Sequence, residues 1–318
     1  MSILQALSGS KYRSIDAHLH VVDFLQDTTG LDRCLHYMDK ANIEAAVIFG
    51  LPVSKIWAEI EKNPPDYYLG DDSKCYYYSA VDFVIAHELS ALPKEKRKRF
   101  FPLIGGFNPV DKYAYKHIER VIKYFPGMWH GIGEILFRHD DLTNLTYGDT
   151  PRCNHPAMDK IYQMCAELNM PICIHQNLTS VGISTYPQWL HEIETTLQKN
   201  PKTTLVWAHC GVSRRVYIPI YYQVVNRLLT AYPNLYVDFS WVVFDDFICP
   251  NGVPDQNWLK LAEDFSERIC IGTDVVNKFE FLPQTIQRYD NFLDQLTSKA
   301  RHDLAYATAD KLYGKVVI

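Results

Sequence analysis

Six side chains in this sequence are of types that bind divalent metals and work together in catalysis: His18, His20, Glu134, His175, His209 and Asp274. The sharpest pattern is Ile15-Asp16-Ala17-His18-Leu19-His20, an H-x-H closing an apolar run. In a strand, residues two apart point the same way, so both imidazoles would face one side. Two neutral imidazoles side by side make half of a metal site. Other apolar runs also finish on ligand-type residues: HGIGEI carries Glu134, PICIH ends at His175, TTLVWAH at His209 and RICIGTD at Asp274. Imidazole and carboxylate are the donors that zinc takes, and manganese or iron fits the same set. An ion held this way activates water for hydrolysis by lowering its pKa to about 7.

Such residues need a scaffold that delivers them to one place. Short apolar runs alternate with amphipathic segments along the chain, the pattern of βα units around a parallel sheet. Eight strands are predicted, at 14–18, 44–50, 100–107, 130–135, 171–175, 203–209, 234–240 and 268–274. Helices are expected between them, for example over 156–169 and over 186–200, the latter starting beside Pro187. Eight units predict a single α/β domain over residues 1–318, a (β/α)8 TIM barrel, with its active site at the C-terminal ends of the strands. One connection breaks the rhythm. About fifty residues after the second strand, 51–99, form an insertion dense in tyrosine. Its place on the catalytic face makes it a candidate lid; the alternative is a helical excursion packed outside the barrel. The charge run PKEKRKRF at 93–100 reads as a solvated helix end.

In this order, IDAHLH, GIGEI, ICIHQN, LVWAHCG and CIGTD resemble the amidohydrolase superfamily, in particular its amidohydrolase-related branch of hydrolases, lactonases and non-oxidative decarboxylases. The resemblance runs to the ending ATADKLYG, where Thr308 and Lys311 stand for the usual Asn and Arg. It implies His18, His20, His175 and Asp274 as metal ligands, with His209 a second-metal ligand or a general acid/base. It also implies that Asp274 takes a proton from water and passes it to the leaving group. Glu134 departs from the carbamylated lysine of many two-metal relatives. A glutamate there resembles the metal-dependent deoxyribonucleases of the wider group and favours two ions over one. The implied cofactor is one or two divalent ions, zinc by default.

Arg214 and Arg215, after the sixth strand, suit a substrate carboxylate or phosphate, because a guanidinium fork binds it at two points. Arg138 and His139, just past Glu134, are second-rank candidates, and Trp241 is a candidate aromatic wall. Cys210 beside His209 is rejected as a nucleophile: in a strand it points the opposite way, and no separate base is evident. The eight cysteines include no C-x-x-C pair and are expected as free thiols in a reducing compartment. The N-terminus has no signal-peptide pattern, and no apolar run approaches the roughly 18 residues of a membrane span. A cytoplasmic, soluble protein is therefore expected. The net charge of −5 weighs against nucleic acid as a partner. A small, anionic substrate is expected, with homo-oligomerisation left open. Hydrolysis of an ester, lactone or amide leads, and metal-dependent non-oxidative decarboxylation is the alternative.

Overall fold

A computed structural model describes residues 9–58, 64–65, 67–70, 72–78, 80–180 and 182–316. Eight parallel strands follow the predicted order: β1 (Ser14–Val22), β2 (Ile43–Gly50), β3 (Phe100–Ile104), β4 (Gly131–Phe137), β5 (Ile172–Gln176), β6 (Leu205–Trp207), β7 (Leu235–Asp238) and β8 (Ile269–Cys270). Each pairs with its neighbour in sequence. The run that begins at β8 closes the ring. Ile269 pairs with Val237 of β7, and further along Val275 and Val276 pair with Leu19 and His20 of β1. Between these points Ala17 N–H donates to Ile271 O at 3.0 Å and Asp274 N–H to His18 O at 2.8 Å.

A helix follows each strand: α1 (Leu31–Ala41), α2 (Val81–Ala91), α3 (Ala114–Tyr124), α4 (Asp159–Leu168), α5 (Leu190–Lys199), α6 (Tyr221–Ala231), α7 (Gln256–Asp264) and α8 (Leu282–Gln287). Their sequences explain the packing. In α1, Leu31, Cys34, Leu35, Met38 and Ala41 recur at three- and four-residue spacing and are buried against the barrel. Asn42 then ends α1 in the left-handed region, and Asn169 ends α4 the same way. Asp255 caps α7 by accepting from the N–H groups of Asn257 and Trp258. One boundary needs correction. The helix expected from Pro187 begins at Leu190, because the residues before it form turns in which Leu190 N–H bonds to Pro187 O.

Inside the barrel, Ile15, Ala17, Val47, Phe101, Leu103, Cys173, Val206 and Cys270 fill the lower half. Ala309 and Tyr313, in the C-terminal helix Thr308–Tyr313, plug its base. Strict alternation along β1 would send the histidines and Ile15 to opposite faces. Instead the register shifts between Asp16 and Leu19. Asp16 supports that irregularity, accepting from His18 N–H (3.1 Å), Thr273 N–H (2.8 Å) and Thr273 O–H (2.6 Å). Leu19 and Val21 thereby join the outer core. The strand comes so close to the far side of the ring that a Cβ on Gly272 would lie 2.7 Å from that of His18.

The insertion expected at 51–99, described apart from residues 59–63, 66, 71 and 79, divides in two. Its first half forms an antiparallel hairpin of Val53–Lys55 and Cys75–Tyr77. Leu51, Val53 and Cys75 pack there on Leu136 and Leu142 above β4. Its second half, α2, lies on the barrel exterior. The short helix Lys94–Arg97 has no buried residue, as expected of a solvated charge run. All eight cysteines are buried free thiols. Among the described residues no helix is long and apolar enough to cross a membrane.

Asp82 staples the second half of the insertion to the barrel. Its buried carboxylate accepts from the N–H groups of Gly105 and Gly106 and pairs with His117 Nε2 at 2.7 Å. Asp82→Ala would orphan all three donors and should lower stability by about 2–4 kcal/mol. Urea unfolding of wild type and variant measures it, and a loss under about 0.5 kcal/mol would refute the staple.

Candidate active site

The predicted six side chains meet at the C-terminal end of the barrel. His18 and His20 rise from β1 onto the edge of Phe49, whose ring centroid is 4.7 Å from each. Glu134 is buried in the middle of β4. Its Oε2 lies 3.6 Å from His18 Nε2 and 3.4 Å from His20 Nε2. Its Oε1 lies 3.1 Å from His175 Nδ1 and 3.5 Å from His209 Nε2. One carboxylate thus turns a different oxygen to each histidine pair. Asp274 Oδ1 completes the first group, 3.1 Å from His20 Nε2 and 3.4 Å from His18 Nε2.

Local backbone explains how residues past the strand ends still point inward. His209 and Asp274 both lie just beyond their strands at φ 54°, and Trp241 has φ 55°. Left-handed conformations are costly for non-glycine residues and gather at functional sites. Here each turns a side chain over the barrel mouth.

Buried carboxylates and imidazoles set one another's charge. Burial opposes ionisation of Glu134, but His18, His175 and His209 outweigh it and hold its carboxyl well below the usual range. Burial also opposes charge on His18, while Asp238 and Glu134 raise its pKa well above the ordinary value. For Asp274, the hydrogen bond from His20 and the nearby His209 and His18 overcome burial and lower the pKa. Among the described residues His18 Nε2, buried between Glu134 and Asp274, has no hydrogen-bond partner. Among the described residues four sets of donors lie close enough to share an ion: His18, His20 and Glu134; His18, His209 and Asp274; His18, Cys173 and Asp238; and Glu134, His175 and His209. Nitrogen and oxygen donors with an orphaned imidazole nitrogen fit a divalent metal.

The cluster floors a cavity of about 450 Å³. Its walls are Phe24, Leu51, Tyr67, Tyr68, Leu136, Leu142, Trp241 and Val276, with His139 and Arg214 as polar members. Trp241, the candidate aromatic wall, lines the cavity 5.2 Å from His209 and 6.0 Å from His175 between ring centroids. The arginines divide. Arg214 lines the cavity, whereas Arg215 does not; both reach the carboxylate of Asp141. Arg138 corrects the expectation more sharply. At φ 47° it turns away from the cavity, makes a two-point pair with buried Glu192 and stacks on Trp189. Its neighbour His139 takes the cavity position instead, with its ring 4.6 Å from that of His175. Burial, with His175 close by, holds His139 neutral, well below its usual pKa. Cys210 is buried with its thiol turned to Asp238 O, and burial pushes its pKa well up, in keeping with its rejection as a nucleophile.

Supporting residues escaped the sequence reading. Asp238 Oδ2 meets His18 Nδ1 at 3.1 Å, and its Oδ1 accepts from His209 N–H at 3.0 Å. Burial works against that carboxylate, yet His18 prevails and its pKa falls to about 2. Ser240 Oγ lies 2.7 Å from His209 Nδ1, and Asn177 Oδ1 lies 3.0 Å from His175 Nε2. Partners of this kind fix which ring nitrogen a ligating histidine offers. A signal existed for two of them: Asp238-Phe239-Ser240 ends the seventh strand with the same two-residue spacing as H-x-H.

A family model described as Amidohydrolase matches residues 15–315. Among solved structures, a protein from Agrobacterium tumefaciens is similar at 12% identity and a TM-score of 0.63, covering 99% of this chain and 100% of that one. A probable 2-pyrone-4,6-dicarboxylic acid hydrolase from Acinetobacter baumannii, with citric acid bound, aligns at 12% identity and TM-score 0.58, over 96% and 100%. An amidohydrolase from Burkholderia multivorans with bound zinc aligns at 13% identity and TM-score 0.54, over 95% and 99%. At these identities the likeness concerns the fold. No functionally curated protein matches the sequence.

The divided contacts of Glu134 generate a stoichiometry test. Two dications at the roughly 3.5–4 Å of paired sites repel strongly unless a shared negative charge lies between them. Zinc-reconstituted wild type should hold about two ions and Glu134→Gln about one, by elemental analysis. His18→Ala combined with His20→Ala should lose the ion of the first group. A wild type saturating at one zinc, with Glu134 hydrogen-bonded only to protein in its crystal structure, would overturn the shared-carboxylate reading.

Proposed function

The chain belongs to the amidohydrolase family, and on that premise we propose that it is a metal-dependent hydrolase of a C–O or C–N bond in a small anionic ester, lactone or amide. The observation that carries this is Glu134 with one oxygen on each histidine pair and Asp274 beside both. His18, His20 and Asp274 would hold one ion, His175 and His209 a second, with Glu134 common to both. Bound there, a divalent ion supplies a water of lowered pKa and a Lewis acid for the scissile carbonyl. Zinc suits these donors, and manganese or iron would also be accepted.

The remaining work belongs to the chain's own side chains. Asp274 faces the histidine pair through Oδ1, which leaves Oδ2 as the oxygen to accept the proton of the attacking water and return it to the leaving atom. Arg214 is the guanidinium on the cavity wall for a substrate carboxylate. Asp141 is shared by Arg214 and Arg215, so that trio keeps net positive charge. Neutral His139 offers a hydrogen bond without adding charge beside the ions. Leu51, Tyr67 and Tyr68 bring the insertion over the substrate as a lid, limiting bulk water during the reaction. One structural neighbour is a probable 2-pyrone-4,6-dicarboxylic acid hydrolase, and a 2-pyrone is a cyclic ester, which supports placing lactones among the first substrates tried.

A panel of carboxylate-bearing lactones, esters and amides, run in ¹⁸O-labelled water with the zinc-loaded protein, tests the reading. Label in the product without carbon dioxide is expected; carbon dioxide release without label would replace hydrolysis by decarboxylation. Asp274→Asn should retain most of its zinc while turnover falls by about a hundredfold or more. A fall of threefold or less would remove Asp274 from the proton path.

A further inference from the structure

We infer that Ser240 and Asp238 form a hydroxyl relay that fixes the proton of His209 on Nδ1 and so commits its Nε2, as a bare donor nitrogen, to the ion shared with His175. This deepens the proposed function and rests on it only for the identity of what Nε2 binds. The relay is read from donors and acceptors. Asp238 and Ser240 are both fully enclosed, at 1% and 0% exposure. Two backbone N–H groups aim at Asp238 Oδ1, which makes that oxygen an acceptor. It receives Ser240 N–H at 3.1 Å and the Ser240 hydroxyl, besides His209 N–H. Ser240 has a single O–H and spends it on Asp238. Toward His209 Nδ1, at 2.7 Å, Ser240 Oγ can therefore only accept, so Nδ1 carries the hydrogen.

The consequence lies at the other nitrogen. A neutral His209 with its proton on Nδ1 has a lone pair on Nε2, which stands 3.5 Å from Glu134 Oε1 and 4.0 Å from Asp274 Oδ2. Lone pair facing carboxylate is unfavourable unless positive charge comes between. That favours His209 as a ligand over His209 as a neutral acid, which would need its hydrogen on Nε2. Asp238 acts on His18 as well, through Oδ2 and Nδ1, whereas among the described histidines Ser240 bonds only to His209. Ser240 is thus a positioning residue for one of the two ions, and Asp238 for both.

That asymmetry supplies the test. Zinc binding to the full-length protein would be measured by competition with a chromophoric chelator. Ser240→Ala should weaken one ion by about 10–100-fold and leave the other within about threefold. Ser240→Thr, which keeps the hydroxyl, should restore the weakened site. Two-bond ¹H–¹⁵N spectra of ¹⁵N-histidine-labelled, zinc-free wild type at alkaline pH read the tautomer directly and do not depend on any variant folding. A hydrogen on His209 Nδ1 is expected; a hydrogen on Nε2 would overturn the relay, as would Ser240→Ala with both zinc affinities unchanged. A wild type that shows the Nδ1 tautomer yet binds only one zinc would overturn the two-ion reading and leave the relay standing.

Discussion

A carboxylate buried at 2% exposure among four imidazoles is the constraint around which this protein is arranged. Removing an ion such as Glu134 from water costs several kcal/mol, recovered only if opposite charge and hydrogen-bond donors reach it in good geometry. No single segment of the chain can supply those partners. His18 and His20 come from β1, His175 from β5 and His209 from the turn after β6, so the barrel must close before the carboxylate is satisfied. Closure in turn depends on close contacts such as Gly272 against His18 and on the register shift that Asp16 supports.

The same constraint explains where regular structure is given up. The lower barrel is filled by side chains of ordinary strand alternation and plugged by Tyr313. Apart from helix ends such as Asn42 and Asn169, left-handed non-glycine residues gather at the upper rim, among them Arg138, His209, Cys210, Trp241 and Asp274. Such strain persists where surrounding contacts over-determine it. Asp238 does this for His209, holding its backbone N–H directly and its ring through Ser240. Asn277 N–H on His20 O helps do it after Asp274.

The insertion serves a different need. A metal-type cluster at an open barrel mouth would face bulk water, whereas here Phe24, Tyr67 and Tyr68 pack edge to face into a wall above it. Lys278 lies 3.9 Å from the Tyr67 ring centroid and Lys55 4.2 Å from that of Tyr68, so the wall is held by cations as well as by apolar contact. Under the proposed function, its apolar surface would leave Arg214 and His139 to place polar substrate groups.

What the sequence determined by itself was whatever repeats along the chain at short range. Short apolar runs marked all eight strands, three- and four-residue spacing marked the helices, and ligand-type residues at strand ends marked six of the cluster's side chains, because each signal lies within one element. Tertiary structure alone decided the rest. Arg138 and His139 are adjacent in sequence, yet the turn sends the arginine to Glu192 and the histidine into the cavity. Nothing local distinguishes them, since Glu192 is some fifty residues away in α5. Asp238 and Ser240 share the two-residue spacing of H-x-H, but their partners are fixed only once β7 stands between β6 and β8 in the closed ring. There Asp238 reaches His18, 220 residues earlier in the chain, and the relay exists only because the ring is shut. Local pattern reports which face of an element a side chain takes; which partner it meets there depends on how the elements assemble.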